Sequence, residues 1–206
     1  MKLTFLSKSA RTINSATMLS AIVATGILSS GLSAIAAPSA DFVGGRTSVT
    51  LSNDFVNALT TLKVTPGTVG SAQLNRGVAY FPIVSGAGDL GSVKLEINHR
   101  GGLSLKSGGT IVELTDYAIT NLDGNPVLTG LVKANDNLVG RIPLFNLSLT
   151  EGPKASSNHS GTQIQLKGVG VKLARPAADA LNSVFKVTAF KEGLNIGTAR
   201  VNGSAR

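Results

Sequence analysis

The sequence predicts an all-β domain, mainly an antiparallel β-sandwich or open barrel, with two short α-helices. Three observations lead there: short segments alternate apolar and polar residues, turn-forming residues recur between them, and only two segments carry a helical period. Alternation is clearest where Val93, Leu95 and Ile97 oppose Lys94 and Glu96, and where Ile164 and Leu166 oppose Gln163, Gln165 and Lys167. One face is then buried and the other wet, as in an antiparallel sheet. Turn signals fall at Gly86-Ala-Gly88, Arg100-Gly-Gly102, Ser107-Gly-Gly109, Asp123-Gly124, Asn135-Asp-Asn137 and Ser160-Gly161. Many short strands at such spacing argue for a sandwich or barrel.

In chain order the expected strands are Val78–Val84, Ser92–Asn98, Leu103–Leu105, Thr110–Thr120, Pro126–Ala134, Leu138–Leu149, Thr162–Leu173 and Ile196–Asn202. The first helix follows the capping run Ser52-Asn53-Asp54 and aligns Phe55, Leu59 and Leu62 at i, i+4 and i+7. The second begins at Arg175-Pro176, with Pro at the start and Ala177, Leu181 and Val184 on one face. Both are too short to persist without packing on the sheet. Residues 37–46 are expected to be a flexible arm, and 47–206 a single β domain.

Composition removes several chemistries. The 206 residues include no Cys, which excludes disulfides, thiol nucleophiles and Cys-ligated metal centres. The formal charge is +8. Setting aside Lys2, Lys8 and Arg11 leaves 16 basic and 11 acidic residues, a net +5, interspersed along the chain. Nucleic-acid binding would need clustered Lys and Arg with stacking aromatics, and is not expected.

Residues 1–36 read as a signal peptide. A basic segment ending at Arg11 precedes an uncharged run from Ile13 to Ala40 with the apolar core Met18–Ile27, and Ala34-Ile35-Ala36 forms an A-x-A cleavage pattern. An uncleaved anchor is the alternative, since the run is long enough to span a bilayer, but interspersed Ser, Thr and Gly dilute it. The mature protein is expected to be secreted or extracytoplasmic, meeting the membrane only through the leader. Both Met residues, Met1 and Met18, lie in this leader.

The motifs carry little chemistry by themselves. Gly86-Ala-Gly88-Asp-Leu-Gly91 matches G-x-G-x-x-G but is followed by a strand pattern, so a glycine-rich hairpin loop explains it better than a dinucleotide site. Ser183-Val-Phe-Lys186 lacks the companion motifs of Ser–Lys hydrolases. No nucleophile, base and orienting group can be assembled, so no enzyme activity is expected. Asn98-His99-Arg100-Gly101 and Asn158-His159-Ser160-Gly161 echo each other. Either a duplicated hairpin offers two imidazoles to haem or a metal, or Asn-His-x-Gly is ordinary turn composition.

Several segments, taken in order, resemble the domain of secreted HtaA-type proteins: Thr50–Leu62, Tyr80-Phe81-Pro82-Ile83, Ile97-Asn98-His99-Arg100-Gly101-Gly102-Leu103, Val112–Ile119, Arg141-Ile-Pro143-Leu144-Phe145, Ala180-Leu181-Asn182 and Gly197-Thr198-Ala199-Arg200-Val201. The resemblance implies a β-rich domain with two short helices that binds haem through a Tyr of the first helix, supported by a His. His99 matches the supporting His. The Tyr does not carry over, because its position falls on Ala58, and the family's opening Trp is also missing. The resemblance therefore implies an exported, non-enzymatic binding module whose haem ligation is altered or lost. Its ligand would be haem or a hydrophobic small molecule, held by His99 with Tyr80, Tyr117, Phe55 or His159. The alternative is a structural or adhesive module that contacts a cell-envelope protein through exposed strand edges.

Overall fold

The computed structural model describes residues 39–89, 92, 94–121, 124–158 and 161–206. The expected signal peptide, residues 1–36, and His159 lie outside these residues. The strands are β1 (Ser39–Leu51), β2 (Thr65–Val69), β3 (Gln73–Asn75), β4 (Val78–Asp89), β5 (Lys94–His99), β6 (Gly102–Ser107), β7 (Thr110–Thr120), β8 (Val127–Ala134), β9 (Asn137–Ser148), β10 (Lys154–Asn158), β11 (Gly161–Leu173) and β12 (Asn195–Ala205). The helices are α1 (Asn53–Thr61) and α2 (Arg175–Phe185).

All strand pairs are antiparallel, in the order β2-β6-β7-β5-β4-β1-β12-β11-β9-β8. A further β7–β8 pairing joins the two branches, so β7, β5, β4, β1, β12, β11, β9 and β8 close an eight-stranded barrel. The all-β expectation with two short helices holds, and the barrel is closed. Closure pairs each of these eight strands on both sides over at least part of its length.

The expected arm gives way to strand from Ser39 onward. Phe42 to Leu51 pairs with β12 on one side, while Ser39 to Thr50 pairs with β4 on the other. Its backbone is part of the barrel wall, and Phe42 is buried. The expected glycine-rich loop is also partly strand, since Gly86 and Gly88 lie in β4 opposite Ile97 and Leu95.

Inward residues form the core. β4 buries Ala79, Phe81 and Ile83, and β12 buries Ile196, Ala199 and Val201. Helix α1 is capped by Ser52, whose Oγ accepts from the Phe55 N–H at 3.1 Å, and it buries Phe55 and Leu59. Helix α2 starts at Arg175 with Pro176 in its first turn, buries Ala177, Ala178 and Leu181, and packs against β9 and β7. The Asn182 side chain then bonds both the N–H and the carbonyl of Phe190, which fixes the return toward β12.

Candidate site: a buried His–Tyr corner

β5 and β6 lie end to end along β7: Glu96 to Asn98 face Thr120 to Ala118, and Gly102 to Ser107 face Thr115 to Thr110. Between them, His99-Arg100-Gly101 forms a corner opposite Asp116 and Tyr117. There the Asp116 N–H donates to the Gly101 carbonyl at 3.0 Å, and Asp116 adopts φ 50°. Two glycines make this corner necessary to the chain's course. Gly101 has φ 80°, and a Cβ there would lie 2.6 Å from the Val69 carbonyl oxygen and 2.7 Å from the Ala72 nitrogen. At Gly102 a Cβ would strike the Leu114 carbonyl. The His-Arg-Gly-Gly-Leu run is thus the sequence of a tight corner between β2 and β7.

The corner turns His99 and Tyr117 into the barrel. His99 is 4% exposed and Tyr117 2%. The imidazole Nδ1 lies 3.3 Å from the Tyr117 carbonyl oxygen, and Nε2 lies 2.7 Å from the Thr47 hydroxyl. A carbonyl only accepts, so Nδ1 carries the proton and Thr47 donates to Nε2. The Leu103 N–H donates to the Tyr117 hydroxyl at 3.0 Å, and the Tyr117 ring meets Phe81 edge-on with centroids 5.1 Å apart. Burial lowers the His99 pKa to about 4, opposed in part by hydrogen bonds with the Tyr117 and Ile97 backbone. Burial also pushes the Tyr117 phenol well above its ordinary value, opposed by the Leu103 N–H. Both groups are neutral at ordinary pH.

A cavity of about 40 Å³ adjoins the pair, lined otherwise by apolar residues including Val49, Ala79, Phe81, Leu128, Phe145 and Val171. A single water needs roughly 10–15 Å³, so this space matches a few small molecules. It is far below the roughly 300–1,000 Å³ that drug-sized ligands occupy.

The structure brings together two of the residues expected at a site, His99 and Tyr117. Tyr80 points away: β4 alternates, so Tyr80 lies on the outer wall, where the Arg46 guanidinium sits 5.0 Å from its ring centroid. Phe55 is buried under α1 and is not among the residues lining the cavity. Thr47 and Phe81 complete the corner and were not anticipated. Their strand parity is the signal for them, since Thr47 shares the inward phase of Val49 and Leu51. No group of three or more His, Cys, Asp or Glu is placed to hold a metal ion among the described residues. Among them, no helix is long and apolar enough to cross a membrane.

No protein-family model matches the chain, and no curated protein sequence does. Solved structures do. The C-terminal domain of HtaA from Corynebacterium glutamicum aligns with a TM-score of 0.62 at 13% identity, over 81% of this chain and 99% of that one. The N-terminal domain of the same protein gives 0.55 at 14% identity, over 80% and 98%. A domain-swapped dimer variant of the C-terminal domain gives 0.52 at 15%, over 73% and 89%. Strand order, the two helices and these alignments together give the chain an HtaA-like fold.

Proposed function

We infer that the protein is an exported, non-enzymatic binding module in which haem ligation through the first helix has been lost. The carrying observation is the closed state of His99: one ring nitrogen donates to the Tyr117 backbone and the other accepts from Thr47, so no lone pair is left for iron and no N–H is left to support a ligating phenolate. Ala58 on α1 supplies no phenolate either. A Tyr phenolate is a hard anionic ligand for ferric haem, and a methyl group cannot replace it. Haem and other hydrophobic small molecules are the candidate ligands. The interior cavity beside His99 and Tyr117 is too small for a porphyrin.

Hemin titrated into the purified protein is expected to keep the Soret spectrum of free hemin, and Ala58→Tyr is expected to introduce a new, saturable band. A wild-type band that His99→Ala abolishes, with unchanged far-UV circular dichroism, would overturn this reading.

A second reading, contact with a cell-envelope protein, is favoured by the edge of β9. Its pairing with β11 covers only Phe145 to Ser148, and among the described residues no other strand borders 137–143 on that side. Leu138 and Val139 are 67% and 53% exposed there. Such an edge can accept an added strand. Changing both residues to Lys should release the protein from the envelope of producing cells. Retention equal to wild type would argue against this contact.

A further inference from the structure

The outer wall made by β3, β4, β1, β12 and β11 has an unusual charge pattern. β3, β11 and β12 contain no Asp or Glu, and β1 and β4 contain only Asp41 and Asp89, near the end where Ser39 pairs with Asp89. The same wall carries Arg46, Lys167, Lys172 and Arg200, all exposed. None of these four takes part in an ion pair among the described residues, although Lys167 feels the field of Glu151. Cations without local counter-charges leave a positive field over the wall.

The strand registers order the neutral residues between these charges. Gln73, Tyr80, Ser48 and Arg200 form one row across β3, β4, β1 and β12. Arg46, Asn202 and Gln165 form the next, across β1, β12 and β11. The register shift after Leu166 places Lys167 and Gly168 opposite Arg200. A depression of about 360 Å³ lies over Ser48, Thr50, Tyr80 and Arg200. The half-buried Tyr80 ring borders it, with the Arg46 guanidinium 5.0 Å from the ring centroid.

Three chemistries therefore share the outer wall of one half of the barrel: positive charge, rows of hydroxyl and amide groups that donate and accept, and one aromatic ring. A sugar polymer bearing carboxylate or sulfate groups presents the complement of all three, with its anions, its hydroxyls and the apolar C–H face of its rings. Single-stranded nucleic acid would call for several aromatic platforms, and this wall has one. Five strands spaced about 4.8 Å apart span roughly 19 Å, room for an extended chain. We propose that this wall binds an acidic polysaccharide laid across the strands over Tyr80. The site is independent of the haem reading, because it uses the opposite face of β1 and β4 from Thr47 and Phe81.

Affinity electrophoresis of the purified protein tests this. Gels containing polygalacturonate are expected to retard it, and gels containing neutral dextran are not. Tyr80→Ala, which removes no charge, and Arg200→Ala should each weaken binding by about fivefold or more, equivalent to roughly 1 kcal/mol. Lys106→Ala combined with Lys191→Ala removes two exposed charges elsewhere and should leave it within about twofold. The proposal fails if polygalacturonate does not retard the protein, if the Lys pair matters as much as Tyr80 and Arg200, or if duplex DNA binds as tightly as the polysaccharide.

Discussion

The imidazole of His99 and the phenol of Tyr117 are taken out of water, and each keeps only the hydrogen bonds that the fold supplies. For His99 this has a measurable cost in acid. The unfolded chain takes up a proton near pH 6.5, while the folded chain does so only near 4, so lowering the pH through this window favours unfolding. The loss should reach on the order of 3 kcal/mol by pH 4 and should be absent above pH 6.5. Urea denaturation of wild type and His99→Gln across this window isolates the effect from titrating carboxylates. Wild type should lose stability more steeply than the variant as the pH falls, and equal slopes would contradict the assignment. Protonation would also turn Nε2 from acceptor to donor, so the Thr47 hydroxyl could no longer donate to it.

At the level of elements, legibility in the sequence followed hydrophobic period. β5, β7, β11 and both helices were readable because one face is apolar and the other wet, and α1 adds a Ser cap. The elements that escaped lack such a face. β2 carries Pro66-Gly67, residues normally depleted from strands, and is tolerated as an edge paired only with β6. β3 is three residues long, and β10 reads Lys-Ala-Ser-Ser-Asn, with no large apolar residue and with β11 as its neighbour. β1 hid behind Val43-Gly44-Gly45-Arg46, where a register shift breaks the alternation. The site was half readable. His99 stood out by its Gly-Gly-Leu sequel, but Tyr117 and Tyr80 could be assigned to opposite faces only after the shift between Thr115 and Ala118 was seen.

For the molecule as a whole, closure depends on β1, because this strand joins β4 to β12. A chain beginning at Thr47 keeps the inward Thr47, Val49 and Leu51 but loses the pairing of 39–46 with both neighbours. Such a chain is expected to melt well below the chain beginning at Ala37 and to bind an apolar dye such as ANS. Equal melting temperatures would show that the first half of β1 is dispensable. Intact β1 also brings distant parts of the chain together. Phe42 pairs with Ala205, and Asp41 and Arg206 exchange both backbone hydrogen bonds at 3.1 Å. No ribosome-bound intermediate can therefore close the barrel before β12 has emerged, and a ring of such high contact order should fold slowly.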